Sequence, residues 1–306
     1  MTFAVGGGGA VLSDEVAEAL DRGEPVVALE TTLVSHGFSG GRGLVAALAA
    51  AERVRAAGAV PATVGIVDGV VRVGLDDAEL ERFAAAGTAA RKAGARDIAA
   101  CVVQRALGAT TVGGTLAICS TTGIRFMATG GIGGVHRGFA ESLDISGDLP
   151  RIAATQVMVV CSGAKSILDV GATSELLETL GIPVLGWNTP TLPLFYTAEG
   201  GPAVSAVVSA AAEAAGIAAA HWQLTGPSGL LLARPPVDGL DLEALVAQAV
   251  DQVASEGITG QAVTPAILTR VEELSGGRNI EVNQRLIADN ATLAAEVAVA
   301  YAGLPG

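Results

Sequence analysis

The chain is 306 residues long, half of them hydrophobic and only 16% charged, which excludes intrinsic disorder and guarantees a large core. A formal net charge of −13 without a basic block, together with 3% aromatic residues, excludes a phosphate-backbone or base-stacking partner, so neither nucleic acid nor an anionic membrane is expected. Cys101, Cys119 and Cys161 lie in apolar runs and read as reduced core residues of a cytoplasmic protein, not as a disulfide framework or a zinc site.

Residues 1–12, with the tract Gly6–Gly9, read as a flexible arm ahead of a single domain over 13–306. No basic residue precedes Arg22, and no apolar stretch reaches 18 residues, so neither a signal peptide nor a membrane helix is expected. Ser13 is placed to cap a helix over Asp14–Arg22, followed by a strand over Pro25–Thr32 and a helix over Leu44–Ala57. The runs ATVGIVDG and VVRVGL predict a hairpin turning at Asp68-Gly69, and DDAELERFAAAG a short capped helix. Further strands are expected at Ala99–Val103, Ile124–Thr129, Gln156–Cys161 and Pro183–Leu185, and the last 70 residues read as mainly helical. This alternation predicts a three-layer α/β/α sandwich around a mostly parallel or mixed sheet.

Lysine usage is the first chemical signal. Of 18 basic residues only Lys92 and Lys165 are lysines. A surface cation tolerates either residue type, whereas only lysine loses its proton and attacks a carbonyl as a free amine. Lys165 lies in VVCSGAKSILD, an apolar strand entering a small-residue turn, where burial would lower the amine pKa. Glu30 ends the run PVVALE, so an apolar strand delivers a carboxyl suited to general acid–base work, or simply a solvated loop glutamate. His36 reads as a base or ligand, or as a hydrogen-bonded structural histidine.

The segment MATGGIGGVHRGFAESLDISGDL is the densest site candidate. Its glycines allow close backbone approach and expose amides, yet it matches neither the dinucleotide fingerprint nor a Walker loop. Asp144, Ser146 and Asp148 bring two carboxylates and a hydroxyl into one loop, suited to a hard divalent cation and sugar hydroxyls, or to an ordinary turn. Asn283 and Asn290, seven apart, share a face if helical and offer amides to a planar ligand, or serve as caps.

At these residues the sequence resembles the pseudouridine-5′-phosphate glycosidase family, which includes the indigoidine-synthase-A-like proteins. The stretches that carry the likeness are ALETTLVSHG, GAVPATVGIVDG, KAGARD, GATTVGGT, ATGGIGGVHRG, LDISGDL, VVCSGAKSILD, GQAVTP and the C-terminal asparagines, from about residue 13 to 302. The resemblance implies an α/β/α fold, a homotrimer and a manganese-dependent site. Its reaction reversibly breaks the C–C glycosidic bond of pseudouridine 5′-phosphate to give uracil and ribose 5-phosphate. By position, Glu30 matches the acid/base and Lys165 the lysine that forms an imine with C1 of ring-opened ribose. Lys92 and Val112 match substrate contacts, Asp144 the metal-linked aspartate, Ser146, Gly147 and Asp148 the adjoining substrate loop, and Asn283 the asparagine facing the base. Thr129, Gly130 and His136 join the substrate-binding set through ATGGIGGVHRG.

Several loops depart from the family pattern: GFSGGRG follows His36, Asp289 stands where an asparagine is common, Arg234-Pro235 replaces Asn-Pro, and GWNTPTLPLFY replaces a tyrosine-containing loop. The sugar-phosphate machinery is matched while the aglycone side differs. A second aglycone therefore stays open, an aromatic polyketide joined to ribose 5-phosphate as in alnumycin-type C-ribosylation. The reading of another class is a non-catalytic sugar-phosphate-binding protein.

Overall fold

The computed structural model describes residues 9–38, 40–258 and 263–305. Its strands are β1 (Val11–Leu12), β2 (Val26–Glu30), β3 (Val60–Val67), β4 (Val70–Val73), β5 (Arg91–Ala93), β6 (Gly108–Thr110), β7 (Phe126–Ala128), β8 (Val135–His136), β9 (Met158–Cys161), β10 (Leu168–Asp169), β11 (Val184–Trp187), β12 (Ala206–Val208) and β13 (Leu230–Ala233). The helices are α1 (Asp14–Asp21), α2 (Thr32–His36), α3 (Arg42–Ala56), α4 (Asp77–Ala86), α5 (Ile98–Val103), α6 (Val112–Thr122), α7 (Phe139–Ser142), α8 (Asp148–Ala153), α9 (Val170–Thr179), α10 (Ala211–Leu224), α11 (Glu243–Ser255), α12 (Val263–Ser275) and α13 (Arg278–Ala302).

Eleven strands form one mixed sheet whose main path runs β1-β4-β3-β2-β7-β9-β13-β11-β12, with β5 and β6 attached at β3. From β3 through β12 every neighbouring pair on that path is parallel. Helices flank the sheet, so β2, β7, β9 and β13 are buried at every residue and read as unbroken apolar runs rather than alternating ones. The antiparallel pair β3–β4 turns at Asp68 and Gly69, with φ of +52° and +82°, the left-handed pair that a two-residue hairpin requires. Ser13 caps α1, and Asp76 with Glu79 forms a capping box on α4. A separate two-stranded piece, β8 with β10, lies beyond the main sheet.

Two expectations are corrected. The run expected as a strand at Ala99–Val103 is the helix α5, because six apolar residues carry no usable period and Cys101 is buried just as well from a helix. Within the arm expected over residues 1–12, Val11–Leu12 pairs in parallel with Arg72–Val73, while residues 1–8 lie outside the described residues, as do Gly260–Ala262 of GQAVTP and Ser39 of GFSGGRG. All three cysteines are free and buried, and burial pushes the Cys119 and Cys161 thiols up to about 12, so they are unreactive packing residues.

The topology locates a crevice. From β2 the parallel sheet grows one way to β3 and the other way to β7, and ligands of open α/β sheets bind outside the carboxyl ends of strands where the order reverses. Glu30 is the last residue of β2, and Thr129 follows β7 directly.

Candidate active site

Chain reversals at the carboxyl edge assemble the site. Glu30 is 8% exposed, and its Oε1 accepts a 2.6 Å hydrogen bond from the Thr129 hydroxyl. Burial raises its pKa, opposed by the positive charge of Lys165, by the Thr129 bond and by Lys92, and reinforced by Asp148. Lys165 sits on the turn after β9, its amide bonded to the Ile132 carbonyl at 3.1 Å, so the glycine-rich loop after β7 and the lysine loop are stitched together. The lysine is half-buried rather than enclosed. On β5 the Lys92 amine is pushed below its ordinary pKa, burial acting first and the Lys165 charge second, partly offset by Asp148, Glu30 and Asp144. Both lysines of the chain therefore share one site.

The loop from His136 to Asp148 closes the other side. His136 donates its amide to the Asp144 carbonyl at 3.0 Å, and its ring Nδ1 is 3.9 Å from Asp144 Oδ2. Burial lowers the His136 pKa, with Asp144 opposing and both lysines assisting, so the ring tends to neutrality. Asp148, 6% exposed, accepts the Gly113 amide on Oδ1 at 2.7 Å and the Gly133 amide on Oδ2 at 2.9 Å. Its carboxylate is thus committed to holding two backbone segments. A Cβ at Gly113 would come 3.1 Å from Asp148 Oδ1, and one at Gly133 would collide with Ser146, so these glycines are required by the approach itself. Ser146 Oγ accepts the Asp148 amide at 3.2 Å, and Gly147 precedes α8 with open space around it. Val112 opens α6 and is 1% exposed as a whole residue.

Asn283 and Asn290 lie on one face of α13. Asn290 is fully buried and donates to the Thr129 carbonyl at 2.9 Å and to Ser162 Oγ at 3.1 Å. Asn283 lies over Gly130, where a Cβ would stand 3.3 Å from its Oδ1 and 3.1 Å from Ile287. That Oδ1 is buried without a protein partner, an acceptor suited to a ligand N–H. Sequence reasoning had not singled out Phe195, at φ +67° and packed on Gly131, or Arg137, whose guanidinium donates to the Ser166 carbonyl at 3.3 Å. A strained aromatic leaves no local sequence signal. Two departures from the family pattern meet: Arg234 pairs with Asp289 at 3.0 Å, half-buried, joining the end of β13 to α13. Burial holds His36 below its ordinary pKa, helped by the positive charge of Lys92 and opposed by a hydrogen bond with the Ala90 main chain, so it borders the Lys92 side of the site.

For a metal, Asp144 is the available carboxylate, with a side chain 44% exposed. Among the described residues no group of three His, Cys, Asp or Glu is placed to hold an ion. This donor set suits a hard divalent cation that keeps most of its water, not a closed protein cage.

Residues 15–300 match the family model described as indigoidine synthase A like protein. A pseudouridine-5′-phosphate glycosidase of Chloroflexus aurantiacus is 46% identical over 296 residues, covering 94% of this chain and 97% of its own. One from Streptomyces griseus is 46% identical over 298 residues, covering 95% and 92%. Among solved structures, the prealnumycin C-glycosynthase AlnA in complex with ribulose 5-phosphate superposes with a TM-score of 0.88 at 40% identity, over 97% of this chain and 98% of that one. An indigoidine synthase A-like protein from Thermotoga maritima gives 0.84 at 33% identity, over 91% and 93%. With a family model matching residues 15–300 and relatives 46% identical over nearly the whole chain, the chain belongs to the indigoidine synthase A-like family, among the pseudouridine-5′-phosphate glycosidases.

Proposed function

We propose that the protein makes and breaks the C–C bond between C1 of ribose 5-phosphate and a planar aglycone, uracil in pseudouridine 5′-phosphate, through an imine on Lys165. The observation that carries this reading is the pairing of a buried Glu30, its carboxyl pKa raised by burial, with the chain's two lysines in one crevice. A C-glycoside has no leaving oxygen to protonate, so an ordinary carboxylate pair would not suffice. In the synthetic direction the Lys165 amine adds to the C1 aldehyde of open-chain ribose 5-phosphate and water leaves, giving the imine. The nucleophilic carbon of the aglycone attacks C1, and its displaced proton passes to Glu30. The sugar ring oxygen then closes on C1 and expels the amine, which takes up a proton. Sugar phosphate and aglycone give C-glycoside and water, and cleavage is the reverse.

Lys92, His136 and the Ser146–Asp148 loop are assigned to the sugar phosphate, with Val112 and Gly130 beside it, and Asn283 to the aglycone edge. A manganese ion at Asp144, retaining its water, would supply a Lewis-acidic anchor for substrate oxygens. Family likeness supports a homotrimer in the cytoplasm; among the described residues no helix is long and apolar enough to cross a membrane. A second reading, an aromatic polyketide as aglycone, is favoured by the likeness to a prealnumycin C-glycosynthase. Incubation with ribose 5-phosphate and borohydride tests the chemistry. A covalent mass gain on Lys165 is expected, and its absence would return the protein to the sugar-phosphate-binding class. A turnover screen of pseudouridine 5′-phosphate against hydroxynaphthoquinones with ribose 5-phosphate separates the two aglycones, and sedimentation measures the trimer.

A further inference from the structure

Glu30, Thr129, Asn290 and Ser162 form one buried hydrogen-bonded chain across the carboxyl ends of β2, β7 and β9. The four residues are 8%, 4%, 0% and 0% exposed in that order. A hydroxyl has a single proton to give, and that of Thr129 goes to Glu30 Oε1 at 2.6 Å. The Thr129 main chain is itself fixed, its carbonyl accepting from Asn290 Nδ2 at 2.9 Å and its amide bonding the Val160 carbonyl at 3.0 Å. Asn290 is in turn tied to Ser162 Oγ at 3.1 Å. Oε1 is therefore spoken for, and Oε2 is the atom left to exchange a proton.

We propose that Thr129 is the positioning residue of the general acid–base: its hydroxyl holds Glu30 Oε1 so that the transferable proton rides on Oε2, and Asn290 keeps Thr129 in register. This assigns Thr129 a role other than a sugar contact, and it rests on the reading of Glu30 as the acid–base. The charged groups facing Glu30 are Lys165, Lys92 and Asp148, and a change at Thr129 leaves all three in place. Burial favours the protonated carboxyl, while the Thr129 bond favours the ionised one. Deleting the hydroxyl therefore shifts the titration of Glu30 to higher pH, and whichever limb of the pH–rate profile Glu30 governs moves with it.

The test uses the full-length enzyme with Thr129→Val, which keeps shape without the donor, and Thr129→Ser, which keeps the donor. Infrared difference spectra follow the Glu30 carboxyl band, identified by its loss in Glu30→Gln, and need no substrate. In Thr129→Val the band is expected to titrate at higher pH, turnover to fall on the order of tenfold, and borohydride trapping of ribose 5-phosphate to match wild type. Thr129→Ser is expected to titrate where wild type does. A Thr129→Val band that titrates at the wild-type pH overturns the proposal, whatever happens to turnover. A loss of trapping with the titration unmoved overturns it in favour of a sugar contact. A wild-type enzyme that traps no sugar phosphate defeats the imine reading instead, while the infrared titration still decides the part played by Thr129.

Discussion

The two ends of the same strands are built to different rules. At its amino end β7 begins with Phe126, whose ring meets Trp222 at 6.2 Å and Tyr301 at 5.3 Å, both edge-on, with the Arg125 guanidinium 5.1 Å over the Trp222 ring. Trp222 and Tyr301 close the triangle at 5.4 Å. Three of the ten aromatic residues in the chain are gathered here, so this end is where large side chains supply packing. Three residues on, about 10 Å along the strand, Thr129 opens the crevice, where glycines replace most of the bulk and a buried carboxyl stands beside two half-buried lysines. Burying ionisable groups costs stability, and the apolar end, with the covered middle of the sheet, offsets it. Stability and chemistry are therefore separable along a single strand.

That separation can be broken by experiment. The largest effect is expected from Lys165→Arg, which keeps the charge but cannot form an imine; turnover should fall on the order of 10³–10⁶ with the melting temperature little changed. Near-normal turnover would remove the imine from the mechanism. Glu30→Gln should cost about 10²–10⁴ in turnover and yet stabilise the fold. Because the folded-state pKa of Glu30 is raised, its ionised form is disfavoured by folding, and the stability it contributes at low pH is lost as pH rises through the folded value. The melting temperature of Glu30→Gln should therefore gain on wild type as pH increases above the ordinary carboxylate range, and converge with it in acid. A constant difference would deny that the carboxyl is desolvated.

At the other end, Trp222→Ala should cost about 3–5 kcal/mol of stability while the enzyme that remains folded keeps its turnover, measured by denaturant melts and active-site titration. An equal loss of turnover per folded molecule would contradict the separation. The smallest effect belongs to the half-exposed rim. Chelation followed by manganese return should lower and then restore activity, and an unchanged rate would remove the ion from Asp144.

Much of this division was legible in the sequence. The scarcity of lysine pointed to Lys165, and the second lysine, Lys92, proved to share its crevice. Asn290 was visible through its spacing from Asn283. What stayed hidden depends on contacts far apart in sequence. Nothing local marks Thr129 as the partner of Glu30, 99 residues away, or Arg234 as that of Asp289, 55 residues away. The strand expected at Ala99–Val103 failed because an apolar run of that length fits either period and tertiary packing chose the helix. Phe195 stayed hidden because a left-handed backbone at an aromatic residue is imposed by surrounding loops, not by local preference.

The close seating of α13 over Gly130 has a consequence for how the molecule is made. Every strand of the sheet has been synthesised by residue 233, yet the side chain that clamps Thr129 arrives only with Asn290. A chain still emerging from the ribosome lacks the helix that packs on β2, β7 and β9, and the carboxyl of Glu30 is not held in register with Lys165 until that helix docks. The reactive amine and its proton carrier are thus brought into alignment only near the completion of translation, so a nascent or truncated chain is a poor catalyst.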